Sequence, residues 1–200
     1  YRNRLLRRCP GFHLETLTGP AIGDDVLREA AGWNARRLRA KGVVPTWERH
    51  PENLVRLRAL LDAHGVALCG YDGERRLAAQ LALRVGDDLW VHLAGFDPAF
   101  EDVRLGFLMT WFTALWAIEA GCRRLHLLYG TPVYKRRLGA RPERAWQVSL
   151  FRHPLFTALY AGERLRDVDL NRLYWRARHL ARDAAAAARR AARRRAGGRP

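Results

Sequence analysis

The chain has few of the residues that usually signal disulfide or metal chemistry. Its 200 residues include three cysteines, one methionine and only two lysines, Lys41 and Lys135. Cys9, Cys69 and Cys122 are odd in number, far apart and without a CxxC pair. This pattern predicts reduced thiols of a cytosolic protein, buried as packing residues. The histidines and cysteines show no metal-ligand spacing, so we predict no metal.

Long apolar runs and several well-known nucleotide and hydrolase motifs are also missing. The longest apolar run, residues 107–118, falls short of the ~20 residues that cross a bilayer and predicts a buried helix. No apolar stretch follows the basic start RNRLLRRC, as it would in a signal peptide. The sequence has no P-loop, dinucleotide fingerprint or Ser-His-Asp elbow. These absences favour a cytoplasmic protein, with peripheral association at the inner face of a membrane as the alternative.

Positive charge is in excess, and it is concentrated at the end of the chain. The formal net charge is +16, and residues 176–200 hold nine arginines against one aspartate. An Arg- and Ala-rich composition also arises from mutational bias, so the charge is a weak indication of a partner. Two interpretations of this tail stay open: an exposed helix or disordered segment, and an arm that contacts nucleic acid or an anionic membrane surface.

Turn signals and periodicity predict a mixed α/β domain. Asp72-Gly73 between two apolar segments indicates a hairpin, and the strands around it form a meander. A crossover helix and a parallel strand then give a mixed sheet with helices on both sides. The predicted elements are a strand at 13–17, a helix from Asp24 to Lys41 capped by Asp24 or Asp25, a helix from Pro51 to Gly65, strands at 66–71, 76–85 and 89–96, a helix at 104–120, and strands at 123–129 and 144–151.

The segment from Leu89 to Gly139 carries the clearest functional pattern. A strand stops at a Gly-Asp-Pro turn, Gly106 opens the apolar helix, and Tyr134-Lys135 follows the next strand. Backbone N–H groups at a helix start favour an anion in the preceding loop. The guanidinium of Arg104 adds a positive charge and paired N–H donors that can bind a phosphate through two hydrogen bonds. This order suits a phosphate-bearing thioester held between a splayed strand and a helix N-terminus.

The segments GFDPAF (95–100), GCRRLHLLYG (121–130) and YKRRLG (134–139) resemble the GNAT superfamily of acyltransferases. The branch they resemble is the bacterial BioF2-like or CelD-like one, related to Fem-type aminoacyltransferases and often found with polysaccharide or envelope biosynthesis. Gly130, Tyr134 and Lys135 match the branch pattern. The departures from it are His126, Tyr129 and Thr131 in place of Asp, Arg and Asp, and Val103 and Leu108 in the basic and small slots of the pyrophosphate loop.

The resemblance implies a GNAT-like acyltransferase domain over residues 1–152, the second half of a longer protein with two such domains. A helical extension at 153–175 and the basic tail at 176–200 would follow. Acetyl-CoA or another acyl-CoA would be the co-substrate, held between the strands at 89–96 and 123–129. The residues implied to bind it are Leu93, Ala94 and Gly95 on the first of these strands, and Arg104, Leu105, Gly106 and Phe107 at the helix start.

Acyl transfer to an amine needs a base for the amine, donors for the oxyanion and an acid for the leaving thiolate. Backbone N–H groups around Leu93 to Gly95 are the predicted oxyanion donors, as GNAT folds imply. Tyr134 is the predicted acid, because a phenol with a pKa near 10 can protonate a thiolate. His92 and His126 are the predicted bases, since each lies on a strand that borders the cleft. The carboxylate alternatives are Glu119, Asp97 and Asp102, although Asp97 is more typical of a turn.

Two further residues are candidates for substrate binding. Tyr129 lies at the end of the second cleft strand, and Lys135 follows the predicted acid and suits a phosphate or a carboxylate. The acceptor would be a small amine on a sugar, an amino acid or an envelope precursor. Two other functions stay open: a Fem-like transferase that takes its donor from aminoacyl-tRNA, and a non-catalytic GNAT-like domain that supports a partner or binds a polyanion.

Overall fold

The computed structural model describes residues 1–128 and 133–144. Contacts divide the chain into Tyr1–Pro142 and Glu143–Pro200, and the helices and strands given below all lie in the first unit. The strand predicted at 144–151, apart from its first residue, lies outside the described residues. So do the helical extension at 153–175, the tail at 176–200, and the candidate residues Tyr129 and Thr131.

The main helices and strands follow one another in the order that the sequence predicts. α1 and α3 are short helices that the sequence did not predict. The elements are α1 (Arg2–Arg8), β1 (Phe12–Thr18), α2 (Asp24–Arg39), α3 (Thr46–Arg49), α4 (Glu52–His64), β2 (Gly65–Asp72), β3 (Arg75–Val85), β4 (Asp88–Phe96), α5 (Leu105–Glu119), β5 (Arg124–His126) and α6 (Val133–Arg137), with 3₁₀ turns at Gly19–Ala21 and Pro98–Phe100. Within the described ranges, no helix is both long and apolar enough to span a bilayer.

The strands form one mixed sheet in the order β1-β2-β3-β4-β5. The first four pair as antiparallel neighbours, and β5 joins β4 in parallel after the crossover through α5. The predicted edge strand, meander and parallel strand are therefore confirmed. The strand predicted at 123–129 is shorter than expected and ends at His126. Leu128 has a φ of 55°, in the left-handed region that an extended strand cannot contain.

Helices bury both faces of the sheet. Along β2, Ala67 and Cys69 lie in the cluster formed with α2 and α4, whereas Leu68 lies in the cluster formed with α1 and α5. This alternation is the two-residue period of a strand that is covered on both sides. Leu57 and Leu61 of α4 are almost fully buried, as their helical spacing predicts. Burial of Cys9 and Cys69 is confirmed, and Cys122 is partly buried.

The start of α2 differs from the predicted cap. Gly23 is the N-cap residue, and Asp24 and Asp25 lie in the first turn without capping it. The prediction that an aspartate caps this helix is therefore wrong. Both carboxylates still complement the positive end of the helix dipole, and Asp25 pairs with Arg76 at 2.9 Å. The hydrogen bond from Arg76 holds the pKa of Asp25 below its usual value.

The register between β3 and β4 slips once, at His92. Leu81 pairs with Leu93 and Ala82 pairs with Val91, so His92 is the extra residue of a β-bulge. Leu93 then lies in the core beneath α2 and α4. A bulge bends its strand and increases the local twist. The bulge at His92 therefore changes the direction of the second half of β4, which borders the candidate site.

Candidate active site

A gap opens between β4 and β5 just before the bulge. The parallel ladder holds three residue pairs, and the last of them joins Trp90 to His126. β4 nevertheless continues to Phe96, with β3 as its partner over that stretch among the described residues. Across residues 1–128 and 133–144, the side of β4 that faced β5 thus has no strand beside it after Trp90. This β4–β5 gap lies where the sequence predicts the two cleft strands to separate.

Helix α2 lines the gap along β4. The side-chain amide of Asn34 donates a hydrogen bond to the carbonyl oxygen of Ala94 at 3.0 Å. Gly95 touches the same helix, since a Cβ at this position would lie 2.3 Å from the carbonyl oxygen of Ala30. Leu93 is 2% exposed and packs in the core. The side-chain positions of Leu93 and Gly95 therefore serve helix–sheet packing, and only their backbone groups can serve a ligand.

The start of α5 presents unused backbone donors. Arg104 is the N-cap residue at φ 59° and ψ 39°, and its carbonyl accepts from the N–H groups of Phe107 and Leu108. The N–H groups of Leu105 and Gly106 have no backbone acceptor in the described part of the chain. A left-handed residue followed by a helix turns successive N–H groups toward one concave site. The helix dipole adds positive potential there, so the site suits an anion.

Side chains around this helix start fix its position against β4. A Cβ on Gly106 would lie 2.5 Å from the Phe96 ring, so only glycine allows α5 to approach the end of β4 this closely. The Phe107 ring meets the Tyr1 ring edge-on at 5.9 Å between centroids. Arg104 itself is exposed. The predicted cofactor-binding residues therefore form two groups, the backbone of 93–95 and the loop that leads into α5.

The two adjacent candidates on α6 have different surroundings. Tyr134 is 39% exposed, and burial of the phenol raises its pKa, an effect that the charge of Arg37 partly opposes. Lys135 is 7% exposed and donates to the carbonyl oxygen of Leu128 at 3.0 Å. Burial lowers the pKa of this ammonium group. Lys135 thus ties α6 to the chain that follows β5, whereas Tyr134 lies near α2. A substrate-binding role for Lys135 stays a prediction.

His92 lies at the bulge, near the backbone of residues 93–95. Its ring packs near the indole of Trp47 in α3, with 6.3 Å between centroids. Partial loss of solvent around the imidazole lowers its pKa, although the residue as a whole is exposed. A lowered pKa keeps the ring neutral near pH 7, which is the form that accepts a proton.

His126 is held in a cluster at the start of the gap. Its ring stacks on the Trp90 indole at 3.7 Å between centroids, and Nε2 lies 3.3 Å from Oδ2 of Asp88. Asp88 also accepts from Arg124 at 2.9 Å, and this hydrogen bond holds the pKa of the carboxyl below its usual value. The cluster joins the first residues of β4 to β5. The carboxylate of Asp88 is thus shared between the His126 ring and the guanidinium of Arg124.

Of the three carboxylates considered as alternative bases, Asp97 and Asp102 form contacts that stabilise the fold. Asp97 accepts from the Ala99 N–H at 3.0 Å and from Arg75 at 2.6 Å, which confirms its turn role. Asp102 pairs with Arg8 at 2.5 Å. Glu119 is exposed at the end of α5. Across residues 1–128 and 133–144, no group of three His, Cys, Asp or Glu side chains is close enough to hold a metal.

One pattern on α2 indicates this site, and our predictions did not use it. The inward face of α2 carries Leu27, Ala30 and Ala31, and the same helical spacing continues through Asn34 to Arg37. Polar residues that replace apolar ones on an inward stripe indicate a place where the helix leaves the core and borders a cavity. Asn34 and Arg37 are therefore site residues that amphipathicity could have found.

Known structures share this fold at low sequence identity. A GCN5-related N-acetyltransferase from Ralstonia eutropha JMP134 aligns with a TM-score of 0.54 and 16% identity, over 70% of this chain and 99% of that one. A predicted acetyltransferase with acetyl-CoA from Clostridium acetobutylicum aligns with a TM-score of 0.51 and 10% identity, over 71% and 99%. At such identities the likeness shows the fold. No curated protein matches the chain.

A match to a protein-family model identifies the family of this chain. The acetyltransferase (GNAT) domain matches residues 1–136, which is more than half of the chain and extends from α1 into α6. The match includes the bulge, the β4–β5 gap, the start of α5 and Tyr134. Acetyl-CoA is the acetyl donor of this family, and the N–H groups of Leu105 and Gly106 at the start of α5 fit its diphosphate. The chain therefore belongs to the GNAT acetyltransferase family and is an N-acyltransferase.

Proposed function

We propose that the protein transfers an acetyl group from acetyl-CoA to a primary amine in the β4–β5 gap. The observation that carries the proposal is the end of the parallel ladder at Trp90 and His126, immediately before the bulge at His92. The backbone of β4 beyond this point can pair with an extended chain of amides, as an exposed sheet edge pairs with a peptide. The pantetheine arm of the donor is such a chain.

The residues at the start of α5 would hold the diphosphate of the donor. The N–H groups of Leu105 and Gly106 supply two donors without a backbone acceptor in the described residues, and the exposed guanidinium of Arg104 supplies a charged fork. This places the charged end of the donor beside α5 and leaves the thioester end for the part of the gap near α6.

In the proposed reaction, each of the two proton transfers is carried out by one side chain. As the amine nitrogen bonds to the carbonyl carbon, His92 takes the proton that the nitrogen loses. A backbone N–H in 93–95 donates to the oxyanion, in keeping with preorganised donors in other acyl transfers. The carbon–sulfur bond then breaks, and Tyr134 donates its phenolic proton to the thiolate. The products are the N-acetylated amine and the free thiol. His92 then releases its added proton to solvent and Tyr134 takes one up from solvent, so both side chains return to their starting states.

The acceptor and its cellular role rest on the resemblance of the sequence to the BioF2-like or CelD-like branch. It supports an amine acceptor in polysaccharide or cell-envelope metabolism. It also supports a second GNAT-like domain as a partner of this one. Contact of the Arg-rich tail at 176–200 with an anionic membrane or nucleic acid stays a prediction, to be tested by its dependence on ionic strength.

Replacing Arg104 by glutamate tests the donor end of this site. We expect the dissociation constant for acetyl-CoA to rise about tenfold or more, because the substitution replaces a charge-assisted hydrogen bond worth at least ~1.4 kcal/mol with repulsion. Isothermal titration calorimetry at low salt measures it. Arg56→Glu, an exposed charge reversal on α4, is the matched control and should bind like the wild type. Equal affinity in both variants would refute the assignment of the diphosphate to this helix start.

A further inference from the structure

Arg37 lies on α2 and has no role in the reaction proposed above. It follows Asn34 by three residues on α2, so both side chains share the helix face that meets the β4–β5 gap. The charge of Arg37 also acts on the phenol of Tyr134 in α6. The shared face with Asn34 and the charge effect on Tyr134 together indicate that the guanidinium is directed toward the end of the gap where the thioester reacts.

The side chain is held in place along one edge. Its Nε is buried and has no hydrogen-bond partner among the described residues. The side chain as a whole keeps partial exposure. An arginine embedded along its Nε edge presents its two terminal nitrogens outward, and these form the end-on fork that binds carboxylate or phosphate through two hydrogen bonds.

No carboxylate neutralises this charge in the described part of the chain. The acidic residues on α2 and α3 are engaged with other arginines. Asp24 pairs with Arg58, Asp25 and Glu29 pair with Arg76, and Glu48 pairs with Arg39. A half-buried charge without a partner is costly, so its retention at a cleft favours a role in binding an anion.

We propose that Arg37 binds a carboxylate or phosphate of the acceptor, so that the acceptor is an amine with an anionic group close to its reactive nitrogen. This inference rests on the proposed function. The donor does not supply that anion, because its negative charges lie at the diphosphate and ribose phosphate, which the start of α5 would hold. The thioester end beside Tyr134 is uncharged. An anion at Arg37 must therefore arrive with the acceptor.

Matched pairs of amines test the proposal and separate its two sources of charge. One pair is L-phenylalanine and its carboxamide, and the other is glucosamine 6-phosphate and glucosamine. Release of free thiol from acetyl-CoA gives kcat/KM for each. We expect at least a tenfold preference for the anionic member of one pair, expressed in KM. Arg37→Gln should remove that preference by weakening use of the anionic amine alone.

Two more variants make the result specific. Arg37→Lys keeps the charge and loses the fork, so it should retain part of the preference, and it serves as the test if Arg37→Gln does not fold. Arg28→Gln, an exposed arginine on the same helix, should behave like the wild type. The proposal would be overturned if the wild type had equal kcat/KM for the anionic and neutral members of each pair. It would also be overturned if the preference survived in Arg37→Gln, or if no anionic amine were acetylated.

Calorimetry with acetyl-CoA distinguishes this failure from failure of the proposed function. Arg37→Gln should bind acetyl-CoA as tightly as the wild type, because Arg37 contacts the acceptor and not the donor. Normal donor binding without a preference for anionic amines would refute the role of Arg37 only. Loss of acetyl-CoA binding in the wild type would refute the proposed function itself.

Discussion

Replacing Tyr134 by phenylalanine should lower kcat by roughly 10²- to 10⁴-fold, the range that one positioned acid contributes. The phenol lies on α6 near Arg37, and burial raises its pKa above the usual value near 10. It is therefore protonated throughout the neutral range and able to donate to a thiolate. The variant keeps the ring and its packing, so the affinity for acetyl-CoA should be nearly unchanged. Steady-state kinetics with calorimetry on the same protein measures both quantities.

Tyr71→Phe provides the matched control. The Tyr71 hydroxyl is half-buried and accepts from Nε of Arg76 at 3.1 Å, away from the gap. Its loss should reduce stability slightly and leave kcat unchanged. If Tyr134→Phe kept full activity, or lost activity only through weaker donor binding, Tyr134 would be a packing residue. On the alkaline side of the pH profile, activity of the wild type should fall as the phenol ionises above its raised pKa.

Replacing His92 by glutamine should lower kcat/KM near pH 7 by roughly 10²- to 10⁴-fold, the range of a general base. Loss of solvent lowers the pKa of His92 below its usual 6.5, so the ring is neutral at pH 7 and becomes protonated only in more acid solution. The wild type should therefore lose activity as the pH falls through a value below 6.5. The variant should lose this acid limb of the kcat/KM profile together with most of its activity.

His126→Gln is the informative comparison for this prediction. Nε2 of His126 is directed at Asp88, and the ring is stacked on Trp90, so its loss should weaken the junction of β4 and β5. The expected result is lower stability with the acid limb retained. An acid limb that persists in His92→Gln and disappears in His126→Gln would reverse the assignment. His13→Gln, on the edge strand, should leave the profile unchanged.

The order of the elements followed from local signals in the sequence. Asp72-Gly73 gave the hairpin, and Gly73 does adopt a positive φ of 57°. The apolar run after Gly106 predicted the crossover helix, which begins at Leu105 in the structure. These features depend on a few neighbouring residues, so a sequence pattern can reveal them. The mixed sheet with helices on both faces then follows from the strand meander, the crossover helix and the parallel strand.

The geometry of the site depends on contacts that no local pattern encodes. The bulge at His92 results from the packing of β4 between β3 and two helix layers, and nothing in its flanking residues distinguishes it from a regular strand. The pairing of Asp88 with Arg124 and His126 joins residues 36 and 38 positions apart. The charge of Arg37 acts on Tyr134, although the two residues are far apart in the sequence. Such long-range contacts need the folded structure.

A thermal-shift titration with acetyl-CoA, free CoA and ATP tests most directly whether the β4–β5 gap and the start of α5 form one donor site. A ligand at about 100 times its dissociation constant stabilises the native state by roughly 2.7 kcal/mol. For a chain of this size the melting temperature should rise by several degrees. We predict saturable stabilisation by acetyl-CoA and CoA and none by ATP, which lacks the pantetheine arm. No shift with acetyl-CoA, or an equal shift with ATP, would contradict this account.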